Sequence, residues 1–116
     1  VSMSGLSRDI LKWIQGLDLS YSVKNVKRDF SNGFLVAEIF SRYFPQDLPM
    51  HSFDNGSSLP KKISNWDLLE KFFRKRRVPI SRELIDAVIH CKENAALPML
   101  QTIYTCLTNK RVIAIR

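Results

Sequence analysis

The chain has 116 residues, of which 45% are hydrophobic and 25% are charged, with four glycines and five prolines. This length suits one domain around one core, and the composition excludes disordered, low-complexity and fibrous proteins. The formal net charge of +7 favours a polyanionic partner, such as nucleic acid, acidic lipid or an acidic protein surface.

Hydrophobic periodicity predicts five helices and shows no sustained alternation of the kind found in strands. The first helix follows the N-cap residue Ser7 and ends near Gly16. Its apolar face consists of Ile10, Leu11, Ile14 and Leu17. Residues 18–29 are polar and mixed, so they are predicted to form a loop.

The second predicted helix follows residues 30–33 and stops at Pro45, because proline cannot continue a helix. Its apolar stripe is wide, so we expect this helix to be buried on several sides. The stripe consists of Phe34, Leu35, Ile39, Phe40, Tyr43 and Phe44. Residues 45–63 contain three of the five prolines and are predicted to form a long loop with at most one short helical turn.

Ser64 is predicted to cap a third helix, with Asp67 at the capping-box position and Pro79 at its end. Its apolar face consists of Trp66, Leu69, Phe72 and Phe73. Ser81 is predicted to cap a fourth helix, and Pro98 suits the first turn of a fifth. The sequence therefore predicts a single compact all-α domain over residues 1–116. We expect its core at about residues 6–108 and a frayed or continuing helical end at 109–116.

The excess positive charge is concentrated in residues 61–82. This segment has eight basic and two acidic residues, whereas the rest of the chain has ten basic and nine acidic ones. Its basic residues are Lys61, Lys62, Lys71, Arg74, Lys75, Arg76, Arg77 and Arg82. Two interpretations stay open, a solvated helix face and a face that binds a polyanion. We favour the second, because like charges three or four residues apart on a helix cost a few tenths of a kcal/mol per pair.

Motifs for catalysis, metal binding or nucleotide binding are absent from the sequence. His90 and Cys91 are adjacent, so on a helix they point about 100° apart, and His51 lies in the proline-rich loop. No CxxC, HExxH, GxGxxG or P-loop spacing can be written. We therefore expect no enzyme, no metal and no cofactor. Two cysteines are too few for a disulfide scaffold, and we expect free, buried thiols in a reducing compartment.

Membrane and secretion signals are not visible either. The apolar run at residues 34–37 ends at Glu38, far short of the roughly 20 residues needed to span a bilayer. Residues 1–5 have neither the basic nor the apolar stretch of a secretory signal. We expect no membrane partner.

Residues 28–39, which read RDFSNGFLVAEI, resemble the signature helix of calponin-homology domains. More narrowly, they resemble the divergent branch found in sperm flagellar protein 1 (also called CLAMP) and spermatogenesis-associated protein 4, where "RDFS-D/N-G" is followed by "L-x-A-E". Further matches in the same order are Trp13, residues 17–20, 43–45 and 63–66, Leu69, and residues 90–92. The last of these is more similar to spermatogenesis-associated protein 4.

The resemblance implies a calponin-homology bundle of four main helices plus short ones, acting as a cytoskeletal binding module and not as an enzyme. Members of this branch are associated with the microtubules of cilia and flagella. Tandem calponin-homology domains typically bind actin, whereas a single domain more often binds microtubules or acts as an adaptor. The resemblance therefore implies a cytoplasmic, cytoskeletal domain of a cilium or sperm flagellum with tubulin as its partner. We expect the isolated domain to be a monomer.

Together, the resemblance and the charge distribution predict the contact residues. The main microtubule contacts are expected at Lys71, Arg74, Lys75, Arg76 and Arg77, flanked by Lys61, Lys62 and Arg82. A secondary basic patch is expected at Lys24, Lys27 and Arg28. Asp29 is expected to cap the following helix. The alternatives are an adaptor for another axonemal protein, an actin-binding domain, and a nuclear or nucleic-acid-binding protein.

Overall fold

Residues 6–108 are described by the computed structural model, and they form six α-helices and one 3-10 helix, with no β-strand among them. The α-helices are α1 (Arg8–Gly16), α2 (Val26–Asp29), α3 (Phe34–Tyr43), α4 (Leu59–Arg76), α5 (Arg82–Ile89) and α6 (Ala96–Thr108). The 3-10 helix spans Met50–Ser52. The all-α prediction is confirmed, and the expectation for residues 109–116 lies outside the described residues.

Two helix starts agree with the sequence analysis in atomic detail. The hydroxyl of Ser7 accepts a hydrogen bond from the backbone N of Ile10 at 3.2 Å. The hydroxyl of Ser81 accepts one from the backbone N of Leu84 at 3.1 Å. Each bond satisfies an N–H group that has no partner inside its own helix.

Helix α2 lies within residues 18–29, which the sequence analysis assigned to a loop. The side chain of Asn25 accepts from the backbone N of Arg28 at 3.1 Å. The Asp29 carboxylate accepts from the backbone N atoms of Lys24 and Asn25 at 2.7 and 2.8 Å. Asp29 thus caps the N-terminus of α2, the helix to which it belongs. The prediction that it caps the following helix is wrong. Four residues are too few for a hydrophobic period to show.

Helix α4 begins at Leu59, five residues before the predicted cap. Ser58 is the extended residue before the helix, and Pro60 lies in the first turn, where a missing N–H costs no helical bond. Ser64 and Asp67 are exposed residues inside the helix, so the predicted cap and capping box are wrong. The proline that indicated a loop is instead a helix-start residue.

Helix α3 lies at the centre of the core, as its wide apolar stripe predicted. All seven residues from Leu35 to Ser41 are buried. They include Glu38, whose carboxylate accepts the backbone N of Ser20 at 3.0 Å and also the Ser20 hydroxyl. Arg42 approaches the same carboxylate at 3.4 Å. A buried charge of this kind is tolerated because it is paired and hydrogen-bonded.

The start of α3 packs closely against α4, and only glycine fits there. Gly33 has φ of 80°, and a Cβ at this position would lie 3.1 Å from both Trp66 Cε2 and Leu69 Cδ1. The fully buried Trp66 donates its indole N–H to the carbonyl of Ser31 at 2.9 Å. The signature segment therefore positions the central helix of the fold.

Asn65 ties three parts of the chain together from α4. Its side chain is buried and donates to the carbonyls of Asn32 and Asp54 at 2.8 and 2.7 Å. Its amide oxygen accepts the backbone N of Asp54 at 3.1 Å. This amide thus holds the start of α3 and the segment before α4 in fixed positions.

The cysteines are free but not both buried. Cys91 is half-buried and Cys106 is exposed on α6, so the expectation of buried thiols is wrong for Cys106. Cys106 belongs to the mostly apolar helix α6 but lies on the side that faces away from the core. Residues 6–108 contain no group of three or more His, Cys, Asp and Glu side chains able to hold a metal ion.

Candidate functional site

Apart from Arg82, which begins α5, the basic residues of segment 61–82 fall into two groups at opposite ends of α4. Lys61 and Lys62 lie in its first turn, whereas residues 71–77 occupy its last turns and C-cap. At 1.5 Å per residue, Lys61 and Arg74 are about 20 Å apart along the axis. The predicted binding segment is therefore not one continuous patch.

At the N-terminal end of α4, both lysines have local partners. Lys61 Nζ lies 3.6 Å from Asp54 Oδ2, and its aliphatic stem lies against Gly56. Lys62 is half-buried and donates to the carbonyl of Ile89, the last residue of α5, at 3.3 Å. A cation is favourable at a helix C-terminus. Lys62 is thus a link between α4 and α5, and its ammonium group keeps its charge but is turned toward the protein.

On one side of the C-terminal half of α4, which we call the paired flank, two arginines meet three carboxylates. Arg74 lies 3.6 Å from Glu70. Arg82 lies 3.0 Å from Glu70, 3.7 Å from Asp67 and 3.3 Å from Asp86. The acidic groups outnumber the basic ones here, so this flank presents little free positive charge.

On the other side, which we call the open flank, three cations lie near a single carboxylate, and only two of them pair with it. Arg76 Nε donates to Asp47 at 3.0 Å, and its guanidinium lies 4.5 Å above the centre of the Phe44 ring. Lys75 Nζ is 3.6 Å from the same carboxylate. Lys71 is exposed and has no carboxylate within 4.0 Å among residues 6–108. The hydrogen bond from Arg76, more than the charge of Lys75, lowers the pKa of Asp47.

Arg77 ends α4 in the left-handed conformation, with φ of 58°. The backbone N of Val78 donates to the carbonyl of Phe73 at 2.9 Å. The backbone N of Arg77 donates to the carbonyl of Arg74 at 3.4 Å. This is a Schellman motif, in which glycine usually occupies the left-handed position. The Arg77 side chain is exposed and forms no ion pair with residues 6–108. Its charge is therefore available to a partner.

The secondary basic patch is split by its own ion pairs. Lys27 is held by Glu93 at 2.6 Å, which lowers the pKa of that carboxylate. Arg28 lies 3.3 Å from Asp29 but remains largely exposed. Lys24 is exposed and has no ion pair within the described part of the chain.

Lys24 and Arg28 nevertheless belong to a larger surface. They line a shallow depression of about 470 Å³ together with Asn55. Lys61 does not line the depression, but it pairs with Asp54 and lies against Gly56, in the segment whose Asn55 and Ser57 do line it. We call Lys24, Arg28 and Lys61 the second basic surface. From the sequence alone, Lys61 groups with the α4 charges, because contacts through the 54–57 segment are not visible there.

A family model described as a CH-like domain in sperm protein matches residues 10–105. The chain belongs to this family. Sperm flagellar protein 1 of Xenopus laevis is 29% identical over 105 residues, which are 90% of this chain and 46% of that protein. The Bos taurus protein is 35% identical over 80 residues, 68% of this chain and 34% of its own length. The human protein is 42% identical over 64 residues, 55% of this chain and 27% of its own length.

These findings confirm the calponin-homology fold and the resemblance to the sperm flagellar protein 1 branch. The family consists of binding domains, so the prediction of a non-enzymatic domain is also confirmed. The closer likeness to spermatogenesis-associated protein 4 stays a prediction. The chain spans less than half the length of these relatives. No helix within residues 6–108 is long and apolar enough to cross a membrane.

Proposed function

We propose that this cytoskeleton-associated domain binds microtubules in a ciliary, flagellar or sperm protein, through the C-terminal end of α4. The observation that carries the proposal is the excess of exposed cations there. Lys71 and Arg77 have no carboxylate partner among residues 6–108, and Lys75 shares Asp47 with Arg76. Membership in a family of sperm-protein domains supports the choice of a cytoskeletal partner.

Electrostatic attraction sets the expected character of binding. Microtubules present an acidic surface and acidic disordered tails, which attract a cluster of lysines and arginines. One exposed ion pair contributes only about 0–1 kcal/mol, so several must form together. At 0.1 M salt, attraction between exposed charges is largely screened beyond about 10 Å, so binding should weaken steeply as salt rises.

The ion pairs divide the predicted contacts by role. Lys71, Lys75 and Arg77 are the primary contacts in this proposal, because their charges are the least neutralised. Arg74, Arg76 and Arg82 are predicted to contribute less, since each already holds a carboxylate. The second basic surface is a separate candidate contact at the other end of α4.

Arg77 combines a left-handed backbone with an exposed side chain. A non-glycine residue in the left-handed conformation is strained, and glycine is the usual residue at this point of a Schellman motif. The strain brings no visible stabilising contact, because the side chain makes no ion pair or hydrogen bond within residues 6–108. Asp18, Cys91 and Asn94 also have positive φ, so what distinguishes Arg77 for binding is its exposed, unpaired charge within residues 6–108.

The test is co-sedimentation with stabilised microtubules at low and raised salt. We expect salt-sensitive pelleting of the domain, and at least about a tenfold loss of affinity for Lys71→Glu/Lys75→Glu. The matched control is Arg8→Glu/Lys12→Glu, which reverses two exposed residues at the same spacing on α1. Equal loss in both variants would contradict a specific contact at α4. Microtubules trimmed of their acidic tails would separate tail binding from lattice binding.

The other candidates give different outcomes in the same assay. An adaptor domain would not pellet with microtubules although it is folded. An actin-binding domain would pellet with actin filaments instead. A nucleic-acid-binding domain would bind DNA or RNA tightly at low salt, with a steep salt dependence. Absence of microtubule pelleting by the folded wild-type domain would overturn the proposal.

A further inference from the structure

An apolar groove lies between the open flank of α4 and the segment that joins α3 to α4. Its volume is about 260 Å³. Leu48, Phe53 and Phe72 are buried and line its floor, and the half-buried Leu68 contributes one wall. Lys71 and Lys75 lie on its rim. The groove is thus apolar inside and basic at its edge.

The size of the groove limits what it can hold. Sites for small molecules and cofactors usually measure about 300–1,000 Å³. A smaller, open groove suits one or two side chains of another protein. Its rings are buried in the core rather than presented as exposed faces, so it is not a platform on which nucleic-acid bases could stack.

The two lysines on the rim of the groove favour an occupant of negative charge. Lys71 and Lys75 are one helical turn apart, and the nearby Asp47 is already bonded by Arg76. The excess is positive, which favours carboxylates on both sides of a seated apolar group. Residues 109–116 of this chain carry three basic and no acidic side chains, and residues 1–5 carry no charged ones. Neither of these segments complements the rim, whereas an acidic segment of a partner protein does.

We propose that this groove docks a short acidic segment of a partner protein. One large apolar side chain of that segment enters between Lys71 and Lys75, and its flanking carboxylates pair with the two ammonium groups. The inference does not require that the partner be a microtubule. The seated apolar side chain would let the C-terminal end of α4 select among acidic partners by shape, which charge attraction alone does not do.

The test uses a fluorescent polyglutamate peptide with one central phenylalanine, and a matched peptide with alanine at that position. Burial of the aromatic ring should make the first peptide bind about tenfold more tightly to the wild-type domain, as measured by anisotropy. Leu68→Ala, which removes one wall, should reduce this preference to less than about twofold. Ile63→Ala is the matched control, because Ile63 is exposed on α4 but does not line the groove.

Stability and location are measured in parallel. Circular dichroism should show that both alanine variants remain folded, since neither residue belongs to the fully buried core. Amide resonances of Ser52, Leu68 and Lys71 should shift on titration with the phenylalanine peptide. Shifts confined to the second basic surface would overturn the inference.

Equal affinity of the two peptides for the wild-type domain would also overturn the inference, because charge alone would then account for binding. That result, with microtubule pelleting retained, would leave the proposed function intact. A concentration-dependent dimer that Leu68→Ala dissociates would identify a second copy of this chain as the occupant, and would likewise contradict an acidic partner.

Discussion

The two halves of α4 differ in how their polar and charged side chains are bonded. In the N-terminal half, Asn65 and Trp66 are 1% and 0% exposed, and their polar atoms are bonded to the segments before α3 and α4. In the C-terminal half, Lys71 and Arg77 are exposed and have no ion pair within residues 6–108. The family-matching residues 63–66 lie in the N-terminal half, whereas the charge excess lies in the C-terminal half, which also buries Phe72 and Phe73 in the core. Within α4, the residues that match the family and the residues proposed to bind a partner are therefore largely different.

The largest loss of stability is expected from Asn65→Leu, in the N-terminal half of α4. The substitution leaves the carbonyls of Asn32 and Asp54 and the backbone N of Asp54 without their buried partner. Since an unsatisfied buried polar group costs about 1–3 kcal/mol, we expect a loss of about 3 kcal/mol in the free energy of unfolding. Urea denaturation measures it. Ser64→Ala, at the exposed neighbouring residue, should change stability by less than about 0.5 kcal/mol.

Gly33→Ala should produce the next largest effect. Its positive φ and the 3.1 Å approach of Trp66 and Leu69 leave no room for a Cβ, so we expect a loss of about 2 kcal/mol. The control is Gly16→Ala in α1, where nothing lies within 4 Å of the added Cβ. That variant should be more stable than wild type by about 0.5–1 kcal/mol, because alanine is the better helix former. Similar thermal midpoints for both variants would contradict the close packing of α3 on α4.

Arg77→Gly separates stability from binding in the other half of α4. Glycine relieves the left-handed strain, so the free energy of unfolding should rise by about 1 kcal/mol. The same change removes an exposed charge, so microtubule pelleting should weaken. Arg77→Lys keeps both the charge and the strain, and it should behave as wild type in both assays. A glycine variant that pellets as strongly as wild type would remove Arg77 from the proposed contacts.

Much of the fold could be predicted because its signals are local. Ser7 and Ser81 precede apolar periods, and the stripe of α3 is wide enough to indicate central burial. Helix α2 was missed because four residues hold no complete period. The start of α4 was missed because Pro60 favours both a loop and a first helical turn, and the preceding Asn-Gly-Ser-Ser run favoured the loop.

The candidate site was less predictable, because the state of each charge depends on distant residues. Arg76 is paired by Asp47, which lies 29 positions earlier in the chain. Lys62 bonds a carbonyl 27 positions later. A count of charges along the sequence locates the basic segment correctly, but it cannot separate these held side chains from Lys71 and Arg77. The groove beside Lys71 left no signal at all, since its lining comes from two segments whose contact only the fold creates.

The smallest expected effect is on the pH dependence of stability, through Asp29 beside the second basic surface. Partial burial of Asp29 opposes its ionisation, but hydrogen bonds from the backbone N atoms of Asn25 and Lys24, with Arg28 beside them, outweigh burial and lower its pKa. A carboxyl whose pKa is lower in the folded state stabilises the fold above its unfolded pKa, near 4. That stabilisation is lost as the pH falls through the lower, folded pKa.

Asp29→Asn should therefore be less stable than wild type at neutral pH, with a difference that shrinks as the solution is acidified below about pH 4. Urea denaturation across this range measures the difference. The control is Asp9→Asn, at an exposed residue of α1 that forms no ion pair with residues 6–108. A stability difference for Asp29→Asn that stays constant with pH would show that the cap acts through shape and hydrogen bonding, with no contribution from charge. Because Arg28 and Lys24 both depend on this carboxylate for their positions, the same variant should also loosen the second basic surface while leaving the α4 end unchanged.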